Sequence, residues 1–201
     1  MGFVGFDLDM TLIDSRPTIM AAFVELARET GTEIDLAAVD SRLGIKLEDE
    51  VAYWFPAAEQ AAATTRYRRH YVRLAAEQTS TLPGAQEALA AVRAAGERVV
   101  IITAKHPVSV EPSLRAAALT ADEIVTHVHG PEKAAVLRRF AATAYVGDSP
   151  PDMAAAVAAG TRAVGVSTGS FSERELYEAG ADVVLDSLTG FPSWYRALAT
   201  A

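Results

Sequence analysis

The stretch GFDLDMTLIDS, residues 5–15, decides how the rest of the chain is read. A short apolar run, FVGF at 3–6, leads into two aspartates, Asp7 and Asp9, that flank a single leucine, with Thr11 following. An apolar run of that length bounded by polar residues reads as a buried strand. Two carboxylates this close repel, and each raises the pKa of the other. A chain that sets them side by side at the end of its first strand needs something positive nearby: a metal ion, a lysine or hydrogen-bond donors.

Working outward, runs of the same kind recur after residue 97: RVVIIT (98–103), EIVTHV (123–128), TAYVGD (143–148), RAVGVS (162–167) and ADVVLD (181–186). Their apolarity is continuous, as in strands buried on both faces. Helical segments lie between them. GAQEALAAVRAAG carries Leu89 and Val92 on one face and stops at Gly96, and PEKAAVLRRF repeats Val136, Leu137 and Phe140 at helical spacing. PDMAAAVAAG opens on a proline suited to the first helical position and ends at Gly160. SERE at 172–175 is a capping-box pattern. Alternating strands and helices predict an α/β fold with a parallel sheet covered on both sides.

Residues 16–82 carry no convincing strand pattern. Pro17 opens a helix containing Ile19, Met20, Phe23 and Leu26, ending near Gly31; Asp35 caps a second, ending near Gly44. KLEDEVAYWF (46–55) is a short third, and a long fourth from Ala57 to Gln78 places Tyr67, Tyr71 and Leu74 on one stripe. TLPG at 81–84 reads as the return to the sheet. The expected organisation is a core of residues 1–15 and 83–201, with 16–82 inserted as a helical unit.

Composition narrows the function. The 201 residues suit one core with a modest insertion, and a net charge of −8 argues against non-specific nucleic-acid binding. The absence of cysteine excludes disulfides, thiolate catalysis and zinc–thiolate sites. No apolar run approaches the roughly 18 residues of a membrane span. The N-terminus lacks the basic segment of a signal peptide, and Phe6 breaks the myristoylation pattern, so the expected location is the cytoplasm.

In an open parallel sheet, ligands bind beyond the carboxyl ends of the strands. There the sequence places Asp7, Asp9 and Thr11 after the first strand and Thr103 after the second. Lys133 stands at the start of the helix after the third strand, and Asp148, with Asp152 close by, follows the fourth. Singly, a carboxylate after a strand often only caps the next helix. Lys133 is more telling, because the first turn of a helix disfavours a cation unless an anion binds there. Asp152 suits its helix start, and orienting Lys133 or a metal-bound water is its expected supporting role. Together the groups suit phosphoryl transfer: a carboxylate that attacks phosphorus, oxygen ligands for a hard ion such as Mg²⁺, and Thr103 and Lys133 to hold phosphoryl oxygens.

The ordered set DLDMT (7–11), IIT ending at Thr103, Lys133, and GDSPPD (147–152) resembles the haloacid dehalogenase superfamily of phosphohydrolases. The likeness spans nearly the whole chain and is weakest in the insertion. It implies a Rossmann-like sheet with a helical cap between the first two motifs, since the interval 104–132 is too short for the alternative cap position. It also implies residue roles. Asp7 would be the nucleophile, Asp9 the general acid and then base, and Thr103 and Lys133 the phosphoryl-binding pair. The Asp7 carboxylate, the Asp9 backbone carbonyl and Asp148 would hold Mg²⁺. TLPGAQEAL (81–89) and GADVVLDSL (180–188) resemble the phosphoglycolate phosphatase-like branch. The expected partner is a small phosphorylated metabolite, with monomer and homodimer both open. Met10 departs from the pattern, since many relatives carry glycine there.

True dehalogenases of the family lack the second aspartate, as do its phosphonate-cleaving members, so Asp9 favours phosphate esters over either and over a Schiff base on Lys46. A sugar-phosphate mutase shares all four motifs, and a non-catalytic phosphate-binding module is the alternative from another class. Elsewhere, His127 and His129 are expected to face one side of the third strand, in rim or packing roles. RYRRHY (66–71) reads as a solvated or acid-paired helix face, with one arginine available to an acidic substrate in a minority reading. Lys105 and His106 are placed to line the pocket, and Tyr53 and Trp54 to pack in the cap core.

Overall fold

The structure is a computed structural model and describes residues 2–199. Strand β1 (Phe3–Phe6) lies at the centre of a six-stranded sheet whose neighbours all run parallel. Strands β4 (Arg98–Ile102) and β5 (Glu123–Val125) extend it on one side. Strands β6 (Ala142–Gly147), β7 (Arg162–Val166) and β8 (Val183–Leu185) extend it on the other. The order β5-β4-β1-β6-β7-β8 therefore reverses direction between β1 and β6. Chains of this topology leave a crevice at that point, beyond the strand ends.

The continuous apolar runs are explained by two covered faces. Val4, Phe6, Val99, Ile101, Ala144 and Val146 point to one face, where they meet α5 (Ala85–Ala94), α6 (Pro107–Ala116) and α10 (Phe191–Ala199). The alternate residues Val100, Ile102 and Tyr145 meet α7 (Glu132–Arg139), α8 (Pro150–Ala159) and α9 (Glu173–Glu178) on the other. Helix α8 starts on Pro150 and stops at Gly160, which takes the left-handed φ of 73° that ends helices cheaply. The capping box at Ser172 and Glu175 is present at the start of α9.

Between β1 and β4 the chain makes α1 (Arg16–Thr30), α2 (Leu36–Ser41), α3 (Leu47–Ala52) and α4 (Ala57–Gln78). They bury a cluster of their own, built on Phe23, Leu26, Val51, Tyr67 and Tyr71. The cap joins the sheet through a small antiparallel ribbon in which β2 (Ile13–Asp14) pairs with β3 (Ser80–Thr81). Among the described residues no helix is long and apolar enough to cross a membrane.

Several details differ from the sequence reading. β3 lies where no strand was expected, because two residues are too few to show a period. β5 ends at Val125, so His127 and His129 stand in the following loop rather than on a strand face, and His127 takes a left-handed φ of 60°. Helix α2 stops at Ser41, short of Gly44. Helices α6 and α10 occupy stretches to which the sequence analysis gave no element. Tyr53 is 65% exposed and stacks on Arg42, while Trp54 packs against the cap cluster.

Candidate active site

Asp7 directly follows β1, and its N–H donates to Val146 O on β6 at 2.8 Å, across the switch point. Asp148 follows β6 and Thr103 follows β4. The first turns of α7 and α8 bring Lys133 and Asp152. All five of these residues are buried, so the parallel sheet gathers polar groups that are distant in sequence into one desolvated site.

Lys133 links them. Its Nζ donates to Asp7 Oδ1 at 2.8 Å and to Asp152 Oδ1 at 2.7 Å. These two carboxylates explain how a lysine is tolerated at a helix N-terminus that disfavours cations. Asp152 also accepts from Ser149 Oγ at 2.5 Å and from the Tyr145 hydroxyl at 3.2 Å. Two glycines make this network possible. A Cβ on Gly147 would stand 2.5 Å from Asp152 Cβ, and one on Gly5 would stand 2.8 Å from Tyr145 Cδ2. Thr11 donates to Asp148 Oδ1 at 2.9 Å, and the other oxygen of Asp148 lies in space that a side chain at Gly169 would fill.

Oxygens of Asp7, Asp148 and Asp152 lie within 4.8 Å of one another, all three residues buried. One ammonium cannot neutralise three carboxylates. Burial pushes the Asp7 carboxyl up to about 7, against the pull of Lys133 and with Asp152 and Asp9 adding to the rise. Burial, then Asp152 and Asp7, push Asp148 well above the usual carboxylate range. A set of hard oxygen donors with uncompensated negative charge fits a hard divalent cation. The group that the structure brings together contains Asp152, while the Asp9 side chain points elsewhere.

Asp9 sits in a turn whose next residue, Met10, has a left-handed φ of 59°. That backbone explains why glycine suits the position, since a Cβ there is strained. Met10 is held in it by its N–H to Ile13 O at 2.8 Å and by Thr168 Oγ1, which donates to its carbonyl at 2.5 Å. The Asp9 carboxylate meets Lys105, whose Nζ lies 2.8 Å from Oδ1. Burial works against the Lys105 ammonium, yet Asp9 and Tyr71 hold its pKa above the ordinary value.

Over this floor the cap closes a cavity of about 670 Å³. Its roof presents Arg42, Lys46, Glu48, Arg68 and Tyr71. Arg42 is occupied by the buried Glu50, and Arg68 pairs with Glu48 through Nη2. Arg68 Nε is buried and has no hydrogen-bond partner among the described residues. Arg66 and Arg69 turn outward to Glu29, as a solvated, acid-paired face does. His106, His127 and His129 line one wall edge to face, with ring centroids 5.6 and 5.4 Å apart. Sequence reasoning placed Lys105 in the pocket without its partners, and it missed Tyr145, Gly147 and Gly169. The glycines right after or near a strand end were a readable signal of close approach; the Lys105 and Tyr145 contacts depend on packing that no local pattern encodes.

The model for haloacid dehalogenase-like hydrolases matches residues 4–166, from the first strand through β7. The chain belongs to this family. It is 31% identical to a phosphoglycolate phosphatase of Nitrosospira multiformis over 92% of this chain and 91% of that one. It is 35% identical to a phosphoglycolate phosphatase of Cereibacter sphaeroides over 79% and 82% of the two chains. Its fold matches a structure from Haemophilus somnus, described as a predicted phosphoglycolate phosphatase, with a TM-score of 0.84 at 20% identity over 97% of this chain and 98% of that one. The family fold, a Rossmann-like parallel sheet with a helical cap, is the one observed.

Proposed function

We propose that this chain is a Mg²⁺-dependent phosphatase that hydrolyses a small phosphate monoester through an aspartyl-phosphate on Asp7, with phosphoglycolate as the first substrate to try. Phosphoric monoester hydrolysis is the enzyme class of the family relatives, and the chain is such a hydrolase. The observation that carries the residue roles is the buried constellation at the switch point, where Lys133 bridges Asp7 and Asp152 beside Asp148.

In this mechanism a carboxylate oxygen of Asp7 attacks phosphorus, and the bond from phosphorus to the ester oxygen breaks. The departing oxygen takes the proton of the Asp9 carboxyl. Water then gives a proton to the Asp9 carboxylate and attacks the same phosphorus, breaking its bond to Asp7 and releasing inorganic phosphate. Thr103 and the third N–H of Lys133 hold the phosphoryl oxygens as negative charge spreads over them. The Asp7 carboxylate, the Asp9 backbone carbonyl and Asp148 would hold Mg²⁺, with Asp152 supporting through Lys133. When bound, the ion supplies charge neutralisation at the carboxylates and the phosphoryl group. Lys46 in the roof supports a substrate with a second anionic group, as in a small acid phosphate.

The test is phosphate release from phosphoglycolate, sugar phosphates, nucleotides and an aryl phosphate, with Mg²⁺ and with EDTA. The expected outcome is Mg²⁺-dependent release, largest for a small acid phosphate. No release from any compound by a folded sample that binds Mg²⁺ would overturn the proposal.

A further inference from the structure

Lys105 has no part in the mechanism above, yet the chain buries it beside a proposed catalytic group. Its side chain is 8% exposed, in the loop that leaves β4 just after Thr103. Desolvating an ammonium is costly unless it is paired. The pairing it finds joins the two parts of the molecule. On the floor, Nζ stands 2.8 Å from Asp9 Oδ1, an oxygen that is itself buried. The contact is an ion pair rather than a directed hydrogen bond. On the roof, Nζ lies 4.2 Å from the centre of the Tyr71 ring of α4, within cation–π range. Tyr71 is fixed in turn by a 3.0 Å hydrogen bond between its hydroxyl and Ser113 Oγ on α6. The Lys105 backbone is fixed too. Its N–H donates to Thr103 Oγ1 at 3.1 Å, and its carbonyl accepts from His127 N–H at 3.1 Å.

From this geometry we infer that Lys105 is the positioning residue for Asp9: it engages Oδ1 from behind, presents the remaining carboxylate oxygen to the cavity, and ties that orientation to the closed cap through Tyr71. With Oδ1 held under the ammonium, Oδ2 is the oxygen left to exchange the proton with the leaving group. The inference rests on the assignment of Asp9 as the general acid, and it adds what aims that acid. Folding alone does not ask for a lysine here, since an apolar side chain would fill the same space against Tyr71 without desolvating a charge.

The experiment compares kcat/KM for an alkyl phosphate with kcat/KM for p-nitrophenyl phosphate in Asp9→Asn, Lys105→Met and wild-type enzyme. This parameter reports steps up to departure of the leaving group. An alkoxide needs the proton and a nitrophenolate does not. Loss of a positioned general acid costs on the order of 10²–10⁴-fold, and its misdirection in Lys105→Met is expected to lower the alkyl-to-aryl ratio by at least about tenfold. A structural role for Lys105 would lower both substrates together and leave the ratio unchanged, which overturns the inference. If Asp9→Asn itself leaves the ratio unchanged, the assignment of Asp9 fails instead, so the two failures are distinguishable. The chain contains no cysteine, so Lys105→Cys offers a second route. Alkylation of that lone thiol with 2-bromoethylamine in denaturant, followed by refolding, rebuilds an ammonium of nearly lysine length. The ratio is expected to return toward wild type. Refolded, alkylated protein that keeps the defect would also count against the inference.

Discussion

The floor and the roof of the cavity hold charge in opposite ways. On the floor, Asp7, Asp148 and Asp152 are buried together around one ammonium, and burial pushes the first two toward their neutral forms. In the cap, carboxylates are mostly matched with arginines: Asp40 with Arg16, Glu48 with Arg68, Glu29 with Arg66 and Arg69. The floor carries a charge imbalance that costs folding energy and is useful only to a ligand. The cap spends its charges on itself, leaving few groups, such as Lys46, to face the cavity. Chemistry is therefore expected to depend steeply on the floor, while the cap adjusts what is bound.

The largest effect that separates the two is Asp7→Asn. It removes the proposed nucleophile but also one member of a crowded carboxylate group, and it leaves Lys133 paired with Asp152. Turnover is expected to fall by about 10⁴-fold or more, with Tm unchanged or raised. Phosphate release and thermal unfolding on the same preparation check both halves. Substantial residual turnover in a preparation free of contaminating phosphatase would mean that the imbalance on the floor serves something other than attack on phosphorus.

Next in size is the coupling of metal and pH. The Asp7 pKa is about 7 in the folded chain against 3.8 in its ordinary state. Between these values the folded protein binds more protons than the unfolded chain, so stability without metal falls as pH rises from about 4 to 7. A cation that binds the carboxylate form removes this penalty above pH 7 and must displace a proton below it. The gain in Tm from saturating Mg²⁺ is thus expected to be larger at pH 8 than at pH 5, by on the order of 5 °C. A gain independent of pH would place the ion away from the buried carboxylates.

The same contrast explains what was legible in the sequence. Each floor residue stands at the end of an apolar run or in the first turn of a helix, so locating the strands located Asp7, Thr103, Lys133, Asp148 and Asp152. The departures come where local pattern and structure part. Strands β2 and β3 have two residues each, too short for any period. Helix α6 carries Pro107 at its start and Pro112 inside, and prolines read as breakers. The EIVTHV run suggested a strand through Val128, but pairing with β4 ends at Val125. The Lys105–Tyr71 contact joins two parts of the chain that only the closing of the cap brings together.

The smallest expected effect tests the cap side. Glu29, on α1, accepts hydrogen bonds from Arg69 at 2.7 Å to both of its oxygens and contacts His70 at 2.6 Å on α4. These partners, Arg69 first, lower its pKa to about 2 from 4.5. A carboxyl whose folded pKa is depressed adds stability above its unfolded pKa and loses it as pH falls through the folded one. The contribution is therefore whole above about pH 5 and gone near pH 2. Arg69 is exposed and Glu29 partly so, so solvent screens that pair and the effect stays small. Glu29→Gln is expected to lower Tm by roughly 1–3 °C at pH 7, less in 1 M NaCl, where the screening length falls to about 3 Å. The difference should shrink toward zero as the pH approaches 2. Turnover at pH 7 should stay close to wild type, because Glu29 faces solvent and Arg69 rather than the cavity. A loss of turnover on the scale of the floor variants would break the comparison, since it would mean that the way α1 and α4 are tied together governs catalysis as strongly as the carboxylates beneath them.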